Sequence, residues 1–327
     1  MFKLLRYITI FIITTSLLFA CQGSKMTQMK RPPLKFAFIN FIGYNSAIIA
    51  QEKGFFQAQG IEVELKYDIR FAQLQQADFS AGKYDGIGIT LGSFIVLSAK
   101  NPDIQAVMVV DETNGADVVV AKPDIKTIAD LKGKNLGALL GSFSEVFVTQ
   151  MLKTANLTNE DVNLVKVEAS QIPPNLKNNT IQAGHTWEPY LSDALNSGGH
   201  IIFTSKQTPG LILDLVAFRG NIIRDRPQDI RAFVQAWLQA ATYWENNIEE
   251  GNAIISKALS MPINKLSLEG IKLTNLAENQ KLFQADSSNS IYKTAKIYAD
   301  FFIGAGNVTR IPEIKTLFNS SFFNPIS

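Results

Sequence analysis

Asp214 lies inside the apolar segment Leu211 to Val216, where an unpaired charge would cost several kcal/mol, so its carboxylate needs a partner. That partner is either a cation carried by a ligand or a hinge backbone group with an Arg. Asp111 closes the apolar run Val107 to Val110, which sets its carboxylate at a strand end. There it either faces a ligand or makes an Asx turn with Thr113 or Asn114. Trp187, Glu188 and Pro189 put an aromatic plane and a carboxylate at the end of another short strand, with Pro189 holding the Glu188 backbone extended. The plain alternative is a core Trp187 and a solvated Glu188. Gly141 and Ser142 open a helix whose free N–H groups suit an acceptor group, although Ser142 serves equally as an ordinary cap. Tyr44 and Asn45 in one strand-end loop, and Thr90 and Ser93 in another, either hydrogen-bond a ligand or stabilise their turns. Carboxylates outnumber any Lys or Arg assignable to these positions, so the chemistry is capture of a small cationic or zwitterionic solute.

Bond-breaking chemistry has little to build on. The two histidines, His185 and His200, belong to no H-E-x-x-H motif, and the chain has neither a Cys pair nor a dense carboxylate cluster, so no metal and no cofactor is expected. No G-x-S-x-G elbow, phosphate-binding loop or dinucleotide fingerprint occurs, and Gly86 with Gly88 alone is too weak a signal. The expectation is a binding protein rather than an enzyme.

The elements that must position these residues alternate between strand and helix. Leu34 to Asn40, Ile61 to Leu65, Gly86 to Ile89 and Gln105 to Val110 read as strands, separated by helical patterns carrying Ile48, Ile49, Phe55 and Phe56, then Phe71 to Gly82, then Ser93 to Lys100. A second series follows Pro123, with strands at Asn135 to Ala138, Leu164 to Val167, Gly184 to Thr186 and Ile201 to Thr204. Its long helix carries Phe143, Val146, Phe147, Met151 and Leu152. Pro173 and Pro174 begin a connection. Leu213 to Phe218 is a further strand, and Pro227 opens a long helix bearing Phe233, Trp237 and Trp244. Such α/β alternation predicts mainly parallel sheets with ligands at the strands' carboxyl ends. A chain of this length most readily forms two cores.

The amino terminus is an export signal. Lys3 and Arg6 precede an apolar run from Tyr7 to Phe19, too short to span a bilayer comfortably, and Cys21, the one cysteine of the chain, follows directly. The boundary resembles a bacterial lipobox, with Leu18 and Ala20 in place and Phe19 departing from the pattern. This implies removal of residues 1–20, acylation of Cys21 and a periplasmic or cell-surface lipoprotein held to the membrane by its lipid. Gln22 rather than Asp follows Cys21, so retention at the inner membrane by Asp is not indicated. Residues 22–33 read as a polar tether. Without Lys3 and Arg6, the 31 basic residues become 29 against 29 acidic ones, which argues against nucleic acid as a partner.

The order of several short motifs carries a family resemblance over nearly all of the mature chain. They are Gly43 and Tyr44; Ala50 through Phe56, with Gly60 to Val63; Gly82 to Asp85; Asp111 with Asn114 to Asp117; Asp130 to Lys134; Gly141 and Ser142; and Thr186 to Tyr190. The chain resembles substrate-binding proteins of the nitrate/sulfonate/taurine and thiamine-pyrimidine type, which deliver solute to an ABC importer. The resemblance implies a type II periplasmic-binding-protein fold, α/β and two-lobed, with a hinge of two crossing segments. Lobe 1 would comprise residues 34–117 and 217–327, and lobe 2 residues 118–216. The lobes would close on solute near Val118 to Ala121 and Leu215 to Phe218. It further implies a monomer that docks on a permease and ATPase complex. A ligand sensor of the same fold is the alternative. A pyrimidine-synthesising relative would carry a Cys-rich motif, which is absent after Cys21.

Overall fold

The apolar runs assemble into two mixed β-sheets. Along the chain, the strands of the computed structural model are β1 (Leu34–Ile39), β2 (Val63–Ile69), β3 (Gly86–Thr90), β4 (Ile104–Thr113), β5 (Val118–Ala121) and β6 (Asn135–Ala138). They continue with β7 (Asn163–Lys166), β8 (Ala183–Thr186), β9 (His200–Thr204), β10 (Leu213–Arg219) and β11 (Ile271–Leu273). The structure describes residues 31–69 and 71–323, so the expected signal segment and Cys21 lie outside the described residues. The chain divides into Met1–Pro32 and Pro33–Ser327, and the account below concerns the second unit.

One sheet has the order β11-β4-β10-β3-β1-β2, the other β7-β6-β8-β5-β9. In the first, β1 runs parallel to β2 and β3, while β10 is antiparallel between β3 and β4. In the second, β6 runs parallel to β7 and β8, while β5 is antiparallel between β8 and β9. The two lobes therefore repeat one plan, and in each the antiparallel strand is the first made after the chain crosses over. This is the α/β two-lobed fold expected from the sequence.

The crossings occupy residues 114–117 and 205–212, between β4 and β5 and between β9 and β10. The second lies before the expected boundary at residue 217, because all of Leu213–Arg219 pairs within the first sheet. Val118–Ala121 and Leu215 to Phe218, the segments about which closure is expected, are central strands hydrogen-bonded on both edges. Pro173 and Pro174 sit in the first turn of a helix, Ile172–Lys177, where a missing N–H costs nothing.

Packing explains the remaining order. β3, β4, β5, β8 and β10 are apolar and buried for most of their length, as strands covered on both faces must be. The helix Pro227–Asn246 covers the first sheet with Phe233 and Trp237, whose rings lie 4.9 and 5.7 Å from that of Phe36. The carboxyl-terminal segment also belongs to this lobe: β11 pairs with the end of β4, and Asn319 N donates to Ala106 O at 2.9 Å. With parallel strands in both sheets, the carboxyl ends of β1, β3, β4, β6 and β8 meet along a single cleft.

Candidate functional site

The register of the first sheet sets the polar row. Asp214, at the start of β10, pairs with Asp111 on one side and Thr90 on the other. Asp111, Asp214 and Asp117 are 0%, 1% and 2% exposed, so three carboxyl groups are removed from water within one short stretch of cleft. The Tyr44 hydroxyl donates to Asp214 Oδ1. Two glycines make this approach possible. A Cβ on Gly43 would fall 1.8 Å from Asp111 Oδ2, and one on Gly88 would meet the Tyr44 ring at 2.8 Å.

Asp111 and Asp214 also lie within hydrogen-bonding reach of each other, although no N–H or hydroxyl of the described residues donates to Asp111. Burial, reinforced by the charges of Asp214 and Asp117, holds the Asp111 carboxyl well above its ordinary range. Burial likewise pushes Asp214 up to about 7. The Tyr44 phenol is raised by burial first and by Asp214 second.

The other lobe contributes a connected chain of donors. Leu139 N donates to Ser144 Oγ at 3.1 Å, and Ser144 Oγ meets His185 Nδ1 at 2.7 Å. His185 Nε2 is 2.8 Å from Asp117 Oδ1, which as an acceptor requires the proton on Nε2 and leaves Nδ1 to accept from Ser144. His185 is fully buried among Phe143, Phe147 and Trp187.

Trp187 stands at the centre of the cleft. Its ring meets Phe41 of the first lobe edge-on at 6.3 Å and Phe143 at 6.0 Å, and its Nε1 is buried with no acceptor among the described residues. Around it lies a space of about 410 Å³, counting the part open to solvent, bounded by Tyr44, Gln75, Thr90, Ser93, Phe143 and Trp187 among others. An adjoining space of about 220 Å³ reaches Asp117 and Asp214. A third, about 230 Å³, extends toward Glu168 and Tyr190. No Lys or Arg lines any of the three.

The structure sorts the residues singled out from the sequence. Tyr44, Thr90, Ser93, Trp187 and Asp214 line these spaces. Asp111 lies behind Asp214, fully buried, rather than in an Asx turn, because β4 continues through Thr113. Asn45 is buried in the turn behind Tyr44.

Three residues are engaged within the fold. Ser142 caps the helix Phe143–Thr154, accepting from Ser144 N at 3.2 Å and donating to Leu139 O at 2.7 Å. Gly141 N donates to Glu145 Oε2 at 2.7 Å, so the helix start proposed for an acceptor group already holds the chain's own carboxylate. Glu188 accepts from Ser192 N at 3.2 Å and Oγ at 2.8 Å, which ties it to the helix Tyr190–Asn196 rather than to the cleft.

Sequence reasoning passed over Asp117, Ser144 and Gln75 as site residues. Asp117 had a signal, a charge directly before the apolar Val118 to Ala121. Gln75, whose Nε2 donates to Ala37 O and Gly88 O at 2.9 Å, had none, since that contact joins separate strand ends.

The comparisons with known proteins agree with this architecture. Residues 27–260 match the model of the NMT1-like family. A Brucella abortus protein provisionally named a binding protein is 22% identical over 303 residues, covering 89% of this chain and 91% of that protein. The alkanesulfonate-binding protein of Xanthomonas axonopodis pv. citri, solved with MOPS bound, superposes with a TM-score of 0.73 at 13% identity, over 89% of this chain and 99% of that one. The periplasmic nitrate-binding protein of Synechocystis PCC 6803 gives 0.68 at 16% identity, over 89% and 87%. A desulfurization enzyme shares the fold at 0.65 and 13% identity, over 90% and 98%, so the fold by itself also admits catalysis. On the family match, which spans well over half its length, the chain belongs to the NMT1-like family.

Proposed function

We propose that this protein is the solute-binding component of an ABC import system and that its solute carries a basic nitrogen. The fold and family support the first part. The second rests on one observation: Asp214 and Asp117 line the space beside Trp187 with no Lys or Arg among its lining residues, whereas Glu168, farther along the cleft, has Lys166 near it. A cation seated against Asp214 would supply the positive partner that the buried carboxylates lack, while Trp187, Phe41 and Phe143 offer faces for a planar or apolar body. An anionic end has a poorer seat, since Glu145 occupies the helix start at Gly141. The unpartnered Trp187 Nε1 is the donor left for the acceptor end of a zwitterion.

On this reading the protein acts as a monomer and hands its solute to a permease and ATPase. The sequence before residue 22 supports anchoring through a lipid on Cys21. Fatty-acid labelling of the wild type but not of Cys21→Ala tests the anchor.

A thermal-shift panel tests the solute class. Amines, amidines and aminopyrimidines should raise the melting temperature, and at about 100 times the Kd the stabilisation is about 2.7 kcal/mol. Nitrate, taurine and alkanesulfonates as the sole stabilisers would overturn the cation assignment while leaving import intact. A stabilising solute recovered chemically changed at catalytic turnover would instead favour an enzyme.

A further inference from the structure

Asp111 and Asp214 are buried cross-strand neighbours, and two ionised carboxylates placed so would repel strongly. Of the groups near them, His185 can carry a positive charge, and it is paired with Asp117. The Tyr44 hydroxyl donates a hydrogen bond to Asp214, Asp117 is a third carboxyl and faces His185, and Glu112 follows on the same strand. Tyr298, on the helix Ile291–Gly304, donates to Leu211 O at 2.9 Å. Lys272 of β11 stands opposite Glu112, but its Nζ pairs with Glu278 at 2.8 Å. Asp111 Oδ1 and Oδ2 receive no N–H or hydroxyl. A proton shared between the two acids satisfies this geometry.

We infer that Asp111 and Asp214 hold a single proton between them in the empty cleft, and that a cationic solute seated against Asp214 displaces it to solvent, so that capture is coupled to proton release. The inference rests on the cation reading for its second half only. Burial and mutual repulsion, which raise both acids, agree with it. The consequence is a pair whose net charge of −1 is the same empty and occupied: it accepts a positive charge by giving one up, with no net charge added to the buried row.

Two measurements separate the halves. Infrared difference spectra at pH 7 of the ligand-free wild type against Asp111→Asn and Asp214→Asn should show a protonated-carboxyl C=O band in the wild type that is shifted in both variants, where the remaining acid no longer shares its proton. Lack of that band in the wild type would overturn the shared proton. Calorimetry then uses benzamidine, a small cation that stays charged across the neutral range, in two buffers of different ionisation enthalpy. The wild type should release about one proton per benzamidine bound, and Asp111→Asn should bind it with about none. Binding by the wild type without proton release would overturn the coupling and leave the cation reading standing. If the band is present but neither benzamidine nor any cation of the thermal-shift panel binds, the displacement step and the cation reading fail together, and the shared proton alone survives.

Discussion

The energetics of the cleft turn on which single atoms find partners. Tyr44 supplies the hydroxyl that reaches Asp214, and Tyr44→Phe leaves a buried acceptor short of a donor at a typical cost of about 1–3 kcal/mol. Urea denaturation of the empty protein should read that loss. Asp111→Asn should act in the opposite sense, because an amide both removes a like group and can donate to Asp214. The pH dependence follows from the raised acids. A carboxyl whose folded value lies above its unfolded one binds its proton more tightly when folded, so it costs stability once pH exceeds the unfolded value. For Asp214 that cost grows from about pH 4 to about pH 7 and then levels. Asp111→Asn should therefore exceed the wild type in stability at pH 8, by about 1–3 kcal/mol, and the gap should shrink toward pH 4. A gap that widened on acidification would refute the assignment. At this scale the sequence was informative where a charge interrupts an apolar run, as at Asp214 and Asp111. It was misleading at Glu188 and Ser142, whose partners Ser192 and Ser144 are local and leave no trace in hydropathy.

Among elements, the helix Ala72–Ser80 is unusual in having Phe71 at its N-cap, a residue with no side chain able to cap it. Across the cleft, burial raises the Glu168 carboxyl, and the nearby backbone N–H groups of Ala72 and Gln73 hold it down against that rise. If the lobes open and close, Glu168 would serve as a cap in the closed form only. A second contact between the lobes, Lys265 Nζ to Asp193 Oδ1 at 3.2 Å, is solvent-exposed and contributes little. Glu168→Ala should loosen the closed form. Hydrogen exchange at Ala72 and Gln73 should quicken in the empty protein, and solute affinity should fall by roughly three- to thirtyfold, the worth of a cap of about 0.5–2 kcal/mol. Unchanged exchange at those two amides would show that Glu168 does not act as a latch. Apolar periodicity disclosed most strands and helices of both series. It did not disclose β11, a three-residue edge strand, or Glu168 as a cap on a helix almost a hundred residues away, because such pairings depend on tertiary position alone.

For the whole molecule, the repeated strand order explains why one cleft gathers every functional group: each lobe aims its carboxyl strand ends at the other, and the crossing strands β5 and β10 carry Asp117 and Asp214 to the same line. That two-lobed plan was legible because the α/β alternation occurs twice and the short family motifs keep their order. The lobe boundary was displaced, since only strand pairing places all of Leu213–Arg219 in the first sheet. The central claim, that the cleft is built for a basic nitrogen, is most directly tested by native mass spectrometry of the protein purified from its own host without dialysis. The account predicts a co-purifying solute with a basic nitrogen, retained by the wild type and lost from Asp214→Asn. A sulfonate or nitrate held equally by the wild type and Asp214→Asn would contradict it.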